Sequence, residues 1–204
     1  MSSGIETFTL GVEEEYQIVD ETTRELAPRG AQLLPVAERA LGDDVQPELQ
    51  SSMIEIATPV CKTLGDVRRE VEHARRNVIS AARRNGSRIA AAGTHPFSAW
   101  SAQSITPKDR YRQIATDFGQ LAHETVIFGC HVHVGLESRD IALDVMNRVR
   151  SQLSPLLALA ANSPFWLGED SSYASFRTEV WSRWPLSGPP LHFSTRNEYD
   201  ELIG

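Results

Sequence analysis

Several things are scarce in this sequence, and each scarcity excludes something. There are only two cysteines in 204 residues, Cys61 and Cys130, and they lack metal-site spacing. Both read as reduced core thiols of a cytoplasmic protein. Cys130 falls on the apolar row of its predicted strand, whereas a nucleophile belongs on the other row. The longest apolar stretch, residues 156–161, is far too short to span a bilayer. The opening MSSGIETFTL has neither the basic flank nor the apolar core of a signal peptide. No basic block with interleaved aromatics occurs, and the formal net charge is −7, so neither a nucleic-acid nor a membrane partner is expected. There is no GxxxxGK[ST] loop and no GxGxxG element. A nucleotide would therefore have to be held through metal ions.

What is present begins with TLGVEEEY, residues 9–16. Alternation along a strand puts Phe8, Leu10, Val12, Tyr16 and Ile18 in one row and Thr9, Gly11, Glu13, Glu15 and Gln17 in the other. Glu13 and Glu15 then project side by side. Carboxylates held that close repel unless a cation or a proton lies between them, although a pair of glutamates is also ordinary on a solvated edge strand. Glu14 falls in the apolar row. That position predicts a strand end or a basic partner.

Residues 30–41 carry a short helical stripe of Leu33, Leu34, Ala37 and Leu41, with Pro35 tolerated near its start. Residues 45–59 read as a second strand, bulged at its two serines. Met53, Glu55 and Ala57 share one face, and Ile54 and Ile56 the other. Glu55 is then either paired to an arginine from a covering helix or a metal ligand. Glu48 would face away from it unless the bulge intervenes.

The stretch 63–86 is the clearest helix, with Leu64, Val67, Val71, Ala74, Val78 and Ala81 at helical spacing. Thr63 and Asp66 predict a capping box, Asn85-Gly86 predicts the stop, and the arginines read as the solvated side. A strand of small residues follows over 87–94. Thr106 and Pro107 predict the start of the next helix, with Tyr111, Ile114, Phe118 and Leu121 buried.

Residues 125–137, TVIFGCHVHVGLE, alternate again. Val126, Phe128, Cys130, Val132 and Val134 form an apolar row, while His131 and His133 stand between glycines on the other. Two histidines in register on one strand face are a recurrent metal-ligand arrangement. The alternative is a pair of ordinary, partly buried imidazoles. Ser138 predicts a third helix cap, and Pro155 a kink or restart. The segment 165–204 holds three of the four tryptophans and reads as a pocket-lining region around Arg177 and Arg183.

Together these elements predict one α+β domain over residues 1–204, with a mainly antiparallel sheet covered on one side by helices. If the strands are neighbours, Glu13, Glu15, Glu55 and His131 meet on the open face. Oxygen-rich ligation of that kind favours magnesium or manganese over zinc.

The runs GVEEEY, ELQSSMIEIATPVC, AAGTHPF, FGCHVHVG, ANSPFW and SFRTEVWSRWP occur in this order. Together they resemble the carboxylate–amine ligase family also called glutamate–cysteine ligase type 2. The resemblance implies a glutamine-synthetase-like catalytic domain, with a curved sheet holding magnesium ions and ATP, in a homodimer. It also implies metal ligation by Glu13, Glu15, Glu55 and His131, a nucleotide contact from His133, and a catalytic contact from Arg177 to a substrate carboxylate or phosphate. The implied reaction joins the side-chain carboxylate of a glutamate-like amino acid to an amine such as that of cysteine, through an acyl phosphate. Family members continue well beyond residue 204. A truncated relative with an incomplete sheet is therefore implied, and a non-catalytic fragment is one reading of it. A rival reading of the residues alone is a metal-dependent hydrolase with His131 and His133 on zinc and Glu55 as base.

Overall fold

The computed structural model describes residues 8–203. Its centre is β1 (Thr9–Asp20), a twelve-residue strand. Helix α1 (Gly30–Leu41) follows, then the short strands β2 (Val45–Pro47) and β3 (Met53–Ala57) and the long helix α2 (Leu64–Arg84). Strand β4 (Ser87–Ala90) leads through a loop to α3 (Asp109–Phe118), α4 (Gln120–Glu124) and β5 (Cys130–Gly135). The remainder comprises α5 (Arg139–Val149), α6 (Leu153–Ala160), a hairpin of β6 (Phe165–Trp166) and β7 (Glu169–Asp170), α7 (Phe176–Trp181) and α8 (Arg196–Ile203).

Every pairing in the main sheet is antiparallel, in the order β2-β3-β1-β4, with β5 also on β1. Glu13 and Glu14 pair with both β3 and β5, and Gln17 pairs with both β3 and β4. Hence β4 and β5 lie end to end along the same edge of β1. Between them Gly129 closes the gap, its carbonyl accepting from the Glu15 amide at 3.0 Å. The α+β architecture expected from the sequence is the one found.

The two rows of β1 separate as the alternation requires. Tyr16 and Ile18 join Ile54 and Ile56 beneath α1 and α2, where Leu33, Ala37, Ala74, Val78 and Ala81 complete the core. Each of these side chains is nearly or fully removed from water, a gain of roughly 1.5–3 kcal/mol for each large aliphatic one. The predicted capping box of α2 is present, Thr63 accepting from the Asp66 amide while Asp66 accepts from the Thr63 amide. Ser138 likewise caps α5.

Some local expectations are corrected. Residues 45–59 are not one bulged strand but two arms of a hairpin, with Val45 opposite Ile56 and Pro47 opposite Ile54. The serines lie in the reversal, not in a bulge. Leu64 is exposed, because it occupies the first turn of α2 beyond the sheet. Lys108, not Thr106, is the N-cap of α3, and Gly119 with φ +52° breaks the predicted stripe before Leu121. Cys61 is buried, but Cys130 is exposed. No described element covers the apolar row of β5, so Val132 and Val134 stay 67% and 50% exposed.

The loop after β4 is tied back to the return from β1. Buried His95 bonds through Nε2 to the Arg24 carbonyl at 2.9 Å. Its Nδ1 accepts from the Ser98 amide at 3.0 Å, which makes Nε2 the protonated nitrogen. Ser98 Oγ in turn accepts from the Leu26 amide. Among the described residues no helix is long and apolar enough to cross a membrane.

Candidate active site

The face of the sheet away from α1 and α2 gathers the predicted residues through strand register. Glu15 stands opposite Glu55 on β3. On the other edge Glu13 stands opposite His131, and Gly11 opposite His133. Directly opposed side chains are within contact range. Glu13 Oε2 lies 3.2 Å from His131 Nδ1 and 3.1 Å from His133 Nε2. One ligand atom from each of the three lies within 4.8 Å of the others, close enough to share a cation. Burial alone would push the Glu13 carboxyl up, but hydrogen bonds from the two imidazoles outweigh it and hold the group below its usual range. Gly11 leaves open the ground in front of His133, whose Cβ would lie 3.6 Å from a Cβ added at Gly11.

The second group is purely carboxylate. Burial raises the pKa of Glu55 to about 7, helped by the charge of Glu48 and a hydrogen bond with it, and then by Glu13 and Glu15. Glu15 is raised by burial and by Glu48, against the Gly129 amide, which donates to its Oε2 at 2.5 Å. A group in which the Glu15 and Glu55 carboxyls are both held up is short of positive charge, which a divalent cation would supply.

Glu48, expected to face away from Glu55 unless the strand is interrupted at the serines, does join it. Because β2 and β3 form a hairpin, the reversal returns Glu48 to the side of Glu55. Tyr111 on α3 fixes it there, its hydroxyl donating to the Pro47 carbonyl at 2.9 Å and lying 3.3 Å from Glu48 Oε2. The doubled serine between two apolar runs was the available signal.

Glu14 points to the opposite face and takes no part in the site. It is buried and held by Arg75 of α2, whose Nε donates to Oε2 at 2.8 Å while Nη2 bonds Oε1; the Tyr16 hydroxyl also bonds Oε2. Burial pushes its pKa up, and these bonds more than reverse that. Thus the basic partner expected for Glu14 is present: Arg75 is exposed, as expected of the solvated side of α2, yet its head reaches the buried carboxylate.

Arg177, at the start of α7, reaches the same face as Glu15. Its Nε donates to the Phe128 carbonyl at 2.9 Å, and its backbone amide donates to Ser163 Oγ at 3.1 Å. A Cβ added at Gly93 would lie 3.2 Å from Arg177 Cδ, and one at Gly129 would lie 3.2 Å from Nη2. The stem and head of the arginine therefore occupy room left by two glycines. Burial lowers its pKa against the opposing charge of Glu15. Arg183 is directed elsewhere, to an ion pair with Glu124 at 2.5 Å.

Below Glu15 and Arg177 opens a cavity of about 770 Å³. Its lining includes Glu15, Glu48, Arg110, His131 and Arg177 together with the rings of Phe118, Trp181 and Trp184. Phe118 and Trp184 pack at 4.7 Å between ring centroids, and Trp181 lies 6.1 Å from Trp184.

Fold and site together define a class: α+β proteins whose bare antiparallel sheet face carries clustered acids and imidazoles. Residues 9–204 match glutamate-cysteine ligase family 2 (GCS2), and the chain belongs to that family. A protein of Rhodopirellula baltica, described as a proposed glutamate–cysteine ligase 2, is 42% identical over 96% of this chain and 54% of its own length. One from Roseiflexus castenholzii with the same description is 41% identical, covering 96% and 52%. The chain thus spans about half the length of the curated relatives it matches. Among solved structures, a bifunctional glutathione synthetase from Pasteurella multocida superposes with a TM-score of 0.60 at 18% identity, over 81% of this chain and 25% of that one. A glutamate–cysteine ligase from Francisella tularensis, crystallised with AMP, gives 0.51 at 10% identity, over 72% and 30%. These two likenesses establish a shared fold. Nothing in these comparisons supports the hydrolase reading.

Proposed function

We propose that this chain carries the metal- and phosphate-holding part of an ATP-dependent carboxylate–amine ligase site. The observation that carries the proposal is the convergence, through register alone, of Glu13, Glu15, Glu55, His131 and His133 on one open sheet face. Family membership and the AMP in the Francisella neighbour support a nucleotide substrate.

The residues fit divalent cations. Glu13 with His131 and His133 forms one candidate site. Glu15, Glu48 and Glu55 form an oxygen-only set suited to magnesium or manganese. Such ions, when bound, neutralise phosphate oxygens and so favour attack on the γ-phosphorus. In the proposed reaction a carboxylate oxygen of a glutamate-like substrate bonds to that phosphorus and ADP departs. The amine nitrogen then bonds to the acyl carbon, the C–O bond to phosphate breaks, and the nitrogen loses a proton. Arg177 orients a carboxylate or phosphate oxygen with the Nη atoms that no described carboxylate claims. His133, beside Glu13, faces the nucleotide phosphates in this reading.

The test is calorimetric titration of the chain with ATP and Mg2+. Glu13→Gln and Glu55→Gln are each expected to weaken binding about ten-fold or more, as loss of one charged ligand should. Unchanged affinity in both variants would refute the assignment. Full nucleotide binding without phosphate release in the presence of glutamate and cysteine would instead mark a binding fragment of such a ligase.

A further inference from the structure

Two of the side chains gathered on the open sheet face are nitrogen donors, and they stand together. His131 and His133 converge on one oxygen of Glu13, Nδ1 of the first at 3.2 Å and Nε2 of the second at 3.1 Å. Donors held about 2.0–2.1 Å from a small ion stand roughly 2.9 Å apart at a right angle and about 3.4 Å apart at the tetrahedral angle. Both separations fall between those limits. Strand register fixes the arrangement, because Glu13 is paired with His131 and the bare Gly11 with His133. Both imidazoles keep more than half of their side-chain surface exposed, so water or a phosphate can complete a coordination shell.

The neighbouring set is different in kind. Glu15, Glu48 and Glu55 offer oxygen alone, the donor that magnesium takes. Imidazole is a softer donor, and affinity for it rises along the first transition series towards copper and zinc. Magnesium sheds its water reluctantly and enters a site with the help of substrate phosphates. Two imidazoles and one carboxylate therefore favour a transition ion and hold it without a nucleotide. The outer nitrogen of His131 also has a carboxylate at hand. A Cβ added at Gly129 would meet His131 Nε2 at 3.1 Å and Glu15 Oε2 at 3.3 Å, so the two flank one small space. A carboxylate beside the non-ligating nitrogen orients a metal-bound imidazole and raises its basicity.

We infer that Glu13 Oε2, His131 Nδ1 and His133 Nε2 form a resident transition-metal site, which takes an ion of the cobalt-to-zinc range in preference to magnesium and keeps it in the absence of nucleotide. The inference deepens the proposed function and rests on its reading of these three residues as cation ligands. The site then holds two unlike ions, with Glu15 between them.

The probe is Co2+, whose visible ligand-field bands report its ligands. Titrated into the intact chain without nucleotide, Co2+ is expected to bind at least about a hundred-fold more tightly than Mg2+. Its bands should be lost to Zn2+ and not to excess Mg2+. His133→Asp exchanges a nitrogen donor for oxygen at an exposed position and should shrink the preference for Co2+ at least about ten-fold. Glu55→Gln should leave Co2+ binding unchanged. Equal affinity for Co2+ and Mg2+ overturns the inference, as does a spectrum untouched by His133→Asp. Loss of the Co2+ signal in Glu55→Gln overturns it by moving the ion to the carboxylate set. An intense sulfur-to-cobalt charge-transfer band overturns it by moving the ion to a cysteine. Titration of the same samples with ATP and Mg2+ tells this failure from failure of the ligase reading. Intact ATP–Mg2+ binding without a Co2+ preference removes only the transition-metal site, whereas a Co2+ preference without ATP–Mg2+ binding supports that site and removes the ligase.

Discussion

Glu55 and Arg75 show opposite uses of charge in this fold. Glu55 is placed among carboxylates that work against its ionisation, which penalises the folded chain in the absence of a cation. Glu55→Gln should therefore stabilise the metal-free protein by about 1 kcal/mol at neutral pH, solvent relieving part of the full penalty. Urea denaturation without Mg2+ reads this directly, and the same variant should gain less stability from Mg2+ than the native chain. Arg75 does the reverse: it supplies the cation that a buried carboxylate requires. Arg75→Ala should cost about 2–3 kcal/mol, because it leaves Glu14 ionised and without its cation beneath α2. Arg76→Ala, one position along, removes only an exposed pair with Glu72 at 3.4 Å and should change stability by less than about 0.5 kcal/mol. Equal effects of the two substitutions would contradict the placement of Glu14.

At the level of elements, His95 ties the loop after β4 to the return from β1 and must be neutral to accept at Nδ1. Burial lowers its pKa below the ordinary 6.5, against the Arg24 carbonyl and the charge of Glu25. The folded state thus refuses a proton that the unfolded state accepts. The stabilisation is complete above about pH 6.5 and is lost as pH falls below it. Denaturation midpoints at about pH 7.5 and about pH 5.5 should differ more in the native chain than in His95→Gln.

The same scale shows what the sequence made legible. The row assignments on β1, β3 and β5 follow from the two-residue repeat, which depends only on local backbone geometry, and they bring Glu13, Glu55 and His131 to one face. The cap and stop of α2 are equally local. The face of Glu48 stayed open because chain reversal and strand continuation look alike through Gln50, Ser51 and Ser52, where only pairing with β3 decides. The pairing of Arg75 was not legible because a helical stripe distinguishes apolar from polar positions, and does not say which exposed arginine reaches a carboxylate in the strand beneath. Cys130, Val132 and Val134 read as core because alternation specifies a face without specifying what lies over it.

At the level of the whole molecule, burial is uneven. The sheet under α1 and α2 is tightly packed, whereas α5, α6 and α8 bury no residue among those described. Among the described residues strand β5 pairs with β1 alone, so its outer edge there presents unpaired backbone groups beside the exposed Val132 and Val134. Edges of this kind template association. Sedimentation velocity should show concentration-dependent self-association, and the double substitution Val132→Lys and Val134→Lys should reduce it. A chain that remains monomeric at all concentrations, or association untouched by the lysines, would remove β5 as the cause.

The span of β1's pairings also has a temporal consequence. Its contacts with β3 and β4 close once residue 90 has been synthesised, but Glu13 meets His131 only across 118 positions of sequence. On the ribosome, a packed half-sheet should precede the cluster of Glu13, His131 and His133 by some forty residues of elongation, or several seconds at typical rates. For that interval the glutamates of the first strand are in place with no imidazoles to answer them. The nascent chain acquires its shape before it acquires its chemistry.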